Sequence, residues 1–263
     1  MLTFSANIEM LFPTIPFYDR FAISKTSGFD EVEFWSWENK DLQRIDELSK
    51  EHNLPISTIS GDASDYALCD DSHMKGYIDY ARASIEAAKK IGSSKIVLHS
   101  NALDEQGQVI DTYNEVPSYR LFMNMAKTLL ALAPYAEKEN IMCVVEPLNI
   151  HVDHVGNFLQ SVDQGGHLIQ VVNSPKIKVL YDMYHMHINN GNLIPNFYTW
   201  QEEIGHIHIA DSPGRHEPGT GEINYHNICN ELIKAQYRGV VAFELSPKNT
   251  YQEAVQAIMA LPH

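Results

Sequence analysis

Basic residues are scarce in this chain. Against 34 Asp and Glu there are 19 Lys and Arg, a formal net charge of −15, and such a surface repels phosphate backbones unless a local basic groove overrides it. Nucleic acid is therefore not the expected partner. Cysteine is scarce as well. Cys69, Cys143 and Cys229 are odd in number, widely spaced and without a CxxC pair, which argues against a disulfide framework and a thiolate zinc site and leaves packing as their role. No apolar run is long enough to span a bilayer, and the opening MLTFSANIEMLF lacks a basic stretch and carries Glu9 among its apolar residues, unlike a signal peptide. The expectation is a soluble cytoplasmic protein with no membrane partner. A homo-oligomer is compatible with the sequence but not specified by it. No Gly-rich strand-to-helix turn marks a dinucleotide site, and no linker or low-complexity tract divides the chain.

What remains is a chain of 263 residues, 44% apolar, enough for a sizeable core in one domain. Short β-rich runs alternate with longer segments whose apolar residues fall three and four apart. The runs are Leu2–Asn7, Glu31–Phe34, Ile56–Ser60, Lys95–His99, Met142–Glu146, Lys178–Asp182, His206–Ile209 and Val240–Glu244. Helical periodicity covers Asp41–His52, His73–Ile91, Ser118–Glu139, Val155–Val172, Tyr225–Gln236 and Thr250–Met259, and Gly28, Gly92 and Gly239 stand where helix C-caps are needed. Eight βα units in this length predict one α/β domain over 1–263, a closed (β/α)8 TIM barrel, in preference to an open doubly wound sheet.

In such a barrel the strands' carboxyl ends carry the active site, and alternation of side chains makes the inward set countable. Counting sends Glu146, Asp182, His206 with His208, and Glu244 toward the barrel axis. Three carboxylates and an imidazole meeting in one mouth repel one another unless a cation neutralises them. Oxygen-rich ligation with one imidazole fits Mg2+ or Mn2+ better than a structural zinc site, which normally uses thiolates or several imidazoles. Each residue taken singly is also an ordinary polar strand end; four in register are harder to dismiss. His185, three residues after Asp182, either turns back over the site or is a surface histidine. The loop Asp211–Glu222 is rich in Gly and Pro and carries Arg215. That guanidinium suits bidentate recognition of a carboxylate, or it braces its own loop through Glu217 or Glu222. Trp35 and Trp37 either wall the mouth or pack at the rim.

The stretches Glu146-Pro-Leu-Asn149, Tyr181-Asp-Met-Tyr-His185, Gly205-His-Ile-His-Ile-Ala-Asp211 and Pro213-Gly-Arg-His-Glu-Pro-Gly-Thr-Gly-Glu-Ile-Asn-Tyr225 resemble hydroxypyruvate isomerases, within the xylose isomerase-like TIM barrels. A softer match runs through Asn7, Met10-Leu-Phe12 and Gly28-Phe-Asp30 to Glu33-Phe34, so the likeness spans essentially the whole chain. It implies metal ligands Glu146, Asp182, His208 and Glu244, with Glu146 and Glu244 also moving a proton. With a small sugar acid such as hydroxypyruvate as the substrate, His185 is expected to hydrogen-bond a substrate oxygen and Arg215 to grip the carboxylate. Hydroxypyruvate isomerases commonly have Gln where this chain has His208. Ketose 3-epimerases have His there and share the Asp-x-x-His of Asp182 and His185, so a ketose 3-epimerase is the second expectation. A catalytically silent sugar-acid-binding barrel is the third.

Overall fold

A computed structural model describes residues 1–263. Its strands are β1 (Thr3–Asn7), β2 (Glu31–Glu33), β3 (Ile59–Ser60), β4 (Lys95–His99), β5 (Met142–Glu146), β6 (Ile177–Asp182), β7 (Ile204–Ile209) and β8 (Val240–Phe243). All pair in parallel, in the order β2-β1-β8-β7-β6-β5-β4-β3. The two ends of that order meet. Val32 bridges Ile56 in parallel, and Ser57 N–H donates to Val32 O at 2.7 Å, so the sheet closes as a (β/α)8 barrel.

The helices are α1 (Ile8–Leu11), α2 (Arg20–Thr26), α3 (Leu42–His52), α4 (Met74–Lys90), α5 (Ser118–Glu139), α6 (Val162–Val172), α7 (Met183–Asn189), α8 (Leu193–Trp200), α9 (Tyr225–Lys234) and α10 (Tyr251–Met259). None is long and apolar enough to cross a membrane. Their apolar faces pack on the outward side chains of the strands in one continuous core, where Phe4 and Phe243 meet edge to face with centroids 4.9 Å apart.

Several boundaries differ from the sequence expectation, each for a local reason. The run Ile56–Ser60 yields only the two-residue β3, because Ser57 and Thr58 turn their hydroxyls onto Glu33 at 3.2 and 3.1 Å. Helix α6 starts at Val162 instead of Val155: Gly156 has φ +92, and Ser161 caps the helix by accepting from Gln164 N at 3.1 Å. The segment after β6 splits into α7 and α8, since Gly191 and Asn192 both adopt left-handed backbone at φ 63 and 57. Gly28 and Gly92 have the positive φ of helix C-caps, but Gly239 does not; Gln236, at φ 56, turns the chain after α9.

The barrel interior is divided. Val97, Val144 and Leu180 fill the side facing β4 to β6. On the opposite side the interior is polar, with Ser5 and Ser57 hydroxyls 2.7 Å apart and Glu33 and His206 buried above them. The side chains that serve chemistry therefore rest on a polar floor held by hydrogen bonds.

Strand β7 begins two residues earlier than expected. Val179 pairs with Ile204 and Leu180 with His206, which leaves Gly205 as the extra residue of a bulge. A Cβ at Gly205 would lie 2.5 Å from Met142 Sδ and 2.7 Å from Lys178 Cβ. Gly205→Val is expected to destabilise the fold by about 1–3 kcal/mol through overpacking, measured by urea unfolding. An unchanged midpoint would show that the bulge tolerates a side chain.

Candidate active site

Closure of the barrel brings the four inward residues of the sequence count to one mouth. Glu146 ends β5, Asp182 ends β6, His208 is the penultimate residue of β7 and Glu244 follows β8. None is more than 6% exposed, and one potential ligand atom from each lies within 4.8 Å of the others. His208 Nδ1 is 3.7 Å from Glu146 Oε1, 3.8 Å from Asp182 Oδ2 and 3.5 Å from Glu244 Oε2. These separations exceed ordinary hydrogen bonds, and Glu146 Oε1 and His208 Nδ1 have no hydrogen-bond partner.

The crowding has an electrostatic cost. Burial, reinforced by the neighbouring Glu146, pushes the Asp182 carboxyl up to about 7. Burial would raise Glu244 as well, but Arg215 and His208 hold it down at about 2. Behind the cluster, Glu33 Oε1 lies 3.1 Å from His208 Nε2 while its Oε2 accepts from His206 Nε2 at 3.0 Å. Burial works against the Glu33 charge, yet His208 and His206 keep it well below the usual carboxylate range. A carboxylate behind an imidazole fixes the ring and turns its other nitrogen inward, an arrangement common to metal-binding histidines. Three carboxylates, one imidazole and unpartnered inward atoms fit a divalent cation that prefers oxygen ligands.

His185 is fully buried and does turn back over the cluster. Asp182 caps α7 by accepting from His185 N at 2.9 Å, which sets the ring's approach. Asn149 Oδ1 accepts from Val152 N and Asp153 N, both at 3.0 Å, so its amide group faces His185 Nδ1 at 2.7 Å. Nδ1 is then the acceptor and Nε2 carries the proton. Burial and the nearby Arg215 push the ring well below its ordinary pKa. A neutral donor, without a partner, points from Nε2 toward Asp182 and Glu146 at 3.6 and 3.9 Å.

Arg215 braces neither Glu217 nor Glu222. Its guanidinium pairs with Glu244 Oε2 and lies over the Tyr184 ring, 5.4 Å from the centroid. The loop that carries it is built on Asp211, whose carboxylate accepts from four backbone N–H groups, those of Ser212, Gly219, Gly221 and Ile223, at 2.8–3.0 Å. Glu217 ties the loop to the next one by accepting from Lys248 N at 2.9 Å. Of the two tryptophans, Trp35 belongs to the mouth and donates from Nε1 to Glu244 Oε1 at 2.9 Å, whereas Trp37 donates to Ser84 on α4.

Sequence reasoning gave no site role to Asn7, Glu33, Asp62 or His99, although Asn7 and Glu33 lie in the softer stretch of the family likeness. Asn7 Nδ2 sits between Glu33 and Glu244 at 3.5 and 3.4 Å. His99 lies between Asp62 and Glu146, with each ring nitrogen 3.2 Å from a carboxylate oxygen. His99 was within reach of the strand count, since it ends β4 directly opposite Glu146 in the register. Asp62 gave no such signal, because it lies in a loop.

The family described as Xylose isomerase-like TIM barrel matches residues 21–261. The chain belongs to that family. Hydroxypyruvate isomerase of Escherichia coli (strain K12) is 32% identical over 262 residues, covering 97% of this chain and 98% of that protein. The 2-oxo-tetronate isomerase of Pectobacterium atrosepticum is 28% identical, covering 97% and 96%. Among solved structures, AP endonuclease, family 2 from Brucella melitensis superposes with a TM-score of 0.86 at 24% identity, covering 97% of each chain, a likeness of fold. The two curated relatives are isomerases, and this member of the xylose isomerase-like family is an isomerase-type enzyme.

The charge crowding predicts a trade between stability and function. The folded Asp182 binds a proton up to about pH 7 while the unfolded carboxyl has lost it, so metal-free stability falls as pH rises toward and through that value. Metal-free Asp182→Asn should melt higher than wild type at pH 8, with the gap closing at lower pH. Added Mn2+ should raise the wild-type Tm by more than the variant's. Calorimetry in EDTA, then in Mn2+, checks both; a lower variant Tm at pH 8 would contradict the argument.

Proposed function

We propose that this chain is a metal-dependent isomerase of hydroxypyruvate or a closely similar small sugar acid. The observation that carries the reading is the meeting of four buried ligand-type side chains with a neutral His185 donor and a guanidinium in one mouth. A divalent cation, Mg2+ or Mn2+, held by Glu146, Asp182, His208 and Glu244, would supply Lewis-acid polarisation of adjacent carbonyl and hydroxyl oxygens.

The chain's own residues account for the remaining steps. Hydroxypyruvate has its carbonyl at C2 and a hydroxymethyl group at C3. A glutamate carboxylate, Glu146 or Glu244, removes one C3 proton to give the enediolate, and a carboxyl group returns a proton to C2 while the hydroxyl proton moves between the two oxygens. The product is 2-hydroxy-3-oxopropanoate, with no net gain or loss of atoms. His185 Nε2–H donates to a substrate oxygen as charge develops on it. Arg215 keeps Nη2 on Glu244 and offers its unpartnered Nε–H to the substrate carboxylate. Trp35 and the Asp211-built loop keep water from the reacting carbons.

Ketose 3-epimerisation is the second reading. His208 favours it, since hydroxypyruvate isomerases commonly carry Gln there, and the two glutamates would then work on opposite faces of one carbon. Incubation in D2O with Mg2+ or Mn2+ and hydroxypyruvate, then with fructose and tagatose, followed by NMR, separates the two. Absence of exchange with every substrate would leave a binding barrel.

Glu146→Gln and Glu244→Gln should each lose at least about 10²-fold in turnover with the fold intact, and EDTA should abolish activity reversibly. Turnover near wild type in either variant removes that carboxylate from proton transfer, and activity that survives chelation rejects the metal.

Arg215→Ala should cost about 2–5 kcal/mol in kcat/KM toward hydroxypyruvate, because the substrate charge is left without its partner. A neutral ketose should lose far less, and Arg215→Lys should recover only part of the loss. Equal losses on acids and neutral ketoses would favour the epimerase.

A further inference from the structure

The two glutamates of the mouth are held very differently. Glu244 has donors on both oxygens: Trp35 Nε1 at 2.9 Å and Asn7 Nδ2 at 3.4 Å on Oε1, and the Arg215 guanidinium on Oε2. Glu146 has one donor, His99 Nε2, 3.2 Å from Oε2, and none on Oε1, which points into the cluster. Hydrogen bonds to a carboxylate stabilise its charged form and weaken it as a base. A carboxylate oxygen also has two lone pairs, of which His99 engages one on Glu146 Oε2 and leaves the other open.

His99 is itself clamped. Asp62 Oδ1 lies 3.2 Å from its Nδ1, Asp62 Oδ2 accepts its backbone N–H, and the Tyr77 hydroxyl donates to Asp62 Oδ2 at 3.3 Å. The chain brings Asp62 there by an unusually close approach. At Gly61 a Cβ would lie 2.8 Å from the Ile96 and Leu98 side chains and from Val97 O, so only glycine lets the end of β3 lie against β4 and hand Asp62 to His99. His99, Ser60, Trp35 and Glu146 line one small cavity that His208 and Glu244 also border.

We infer that His99, clamped by Asp62, is a positioning residue that fixes Glu146 with Oε2 on the His99 ring and Oε1 toward the cluster, making Glu146 the carboxylate that takes the substrate proton. Glu244 then serves as an anchor whose oxygens are already engaged. The inference rests on the isomerase reading, which it deepens by assigning different work to the two glutamates.

The test uses the full chain with Mn2+ and hydroxypyruvate, comparing wild type with His99→Ala, His99→Gln and Asp62→Asn. Loss of such a supporting partner typically costs about 10–100-fold. That fall is expected in kcat and in the rate of substrate C–H exchange with D2O for His99→Ala, with KM and the Mn2+ affinity by titration calorimetry close to wild type. His99→Gln, which keeps an N–H donor, should recover part of the loss, and Asp62→Asn should behave like a milder His99→Ala. Proton NMR of metal-free protein gives a readout without turnover. Ring N–H signals of His99 bonded to carboxylates should stand downfield in wild type and change in Asp62→Asn. Wild-type turnover in His99→Ala, or a fall in Mn2+ affinity as large as the fall in kcat, overturns the inference while leaving the isomerase reading intact. A wild-type chain that exchanges no substrate proton overturns the isomerase reading, and the assignment of Glu146 with it.

Discussion

Three buried carboxylates that cannot all stay charged without compensation set the terms for the rest of this structure. Glu146, Asp182 and Glu244 converge on His208 inside one mouth, and the surrounding residues share out the resulting repulsion. Asp182 is pushed toward neutrality, whereas Glu244 stays ionised through Arg215 and His208. Folding alone would not favour such a cluster, because uncompensated buried charge is among the costlier features a core can carry. The four side chains are of the type that could hold a cation, and Glu146 Oε1 and His208 Nδ1 face inward unpartnered.

A second layer turns this cluster from a collection of charges into a directed site. Glu33 stands behind His208, Asn149 behind His185, and Asp62 behind His99. Each sets the orientation of an imidazole through the nitrogen that does not face the mouth. That layer is possible because half of the barrel interior is polar. The Ser5–Ser57 pair and the hydroxyls on Glu33 occupy volume that Val97, Val144 and Leu180 fill on the other side. The loop after β7 adds the remaining element. Its shape comes from Asp211, whose four backbone donors hold the turn that delivers Arg215 to Glu244.

Much of this was legible in the amino-acid sequence, because alternation along a strand is a short-range property. Once eight βα units are recognised, phase alone sends Glu146, Asp182, His208 and Glu244 inward, and closure of the barrel does the rest. The same rule covers His99, which ends β4 opposite Glu146. Helix and strand boundaries were less legible where side chains override periodicity, as at Ser57 and Thr58, at Ser161, and at the Gly205 bulge.

Tertiary structure alone decided which partners these side chains take. Asp62 and His99 are 37 residues apart, and Arg215 and Glu244 are 29 apart. Asn7 and Glu244, 237 residues apart, come from opposite ends of the chain. No spacing rule connects such pairs, since contact between them depends on how loops fold over the closed barrel. The chain's local chemistry determined the fold class and the inward-facing donors. The difference between a saturated Glu244 and a singly held Glu146 arises only when β1, β2, β4 and β7 with their following loops are assembled, because each donor comes from a different element.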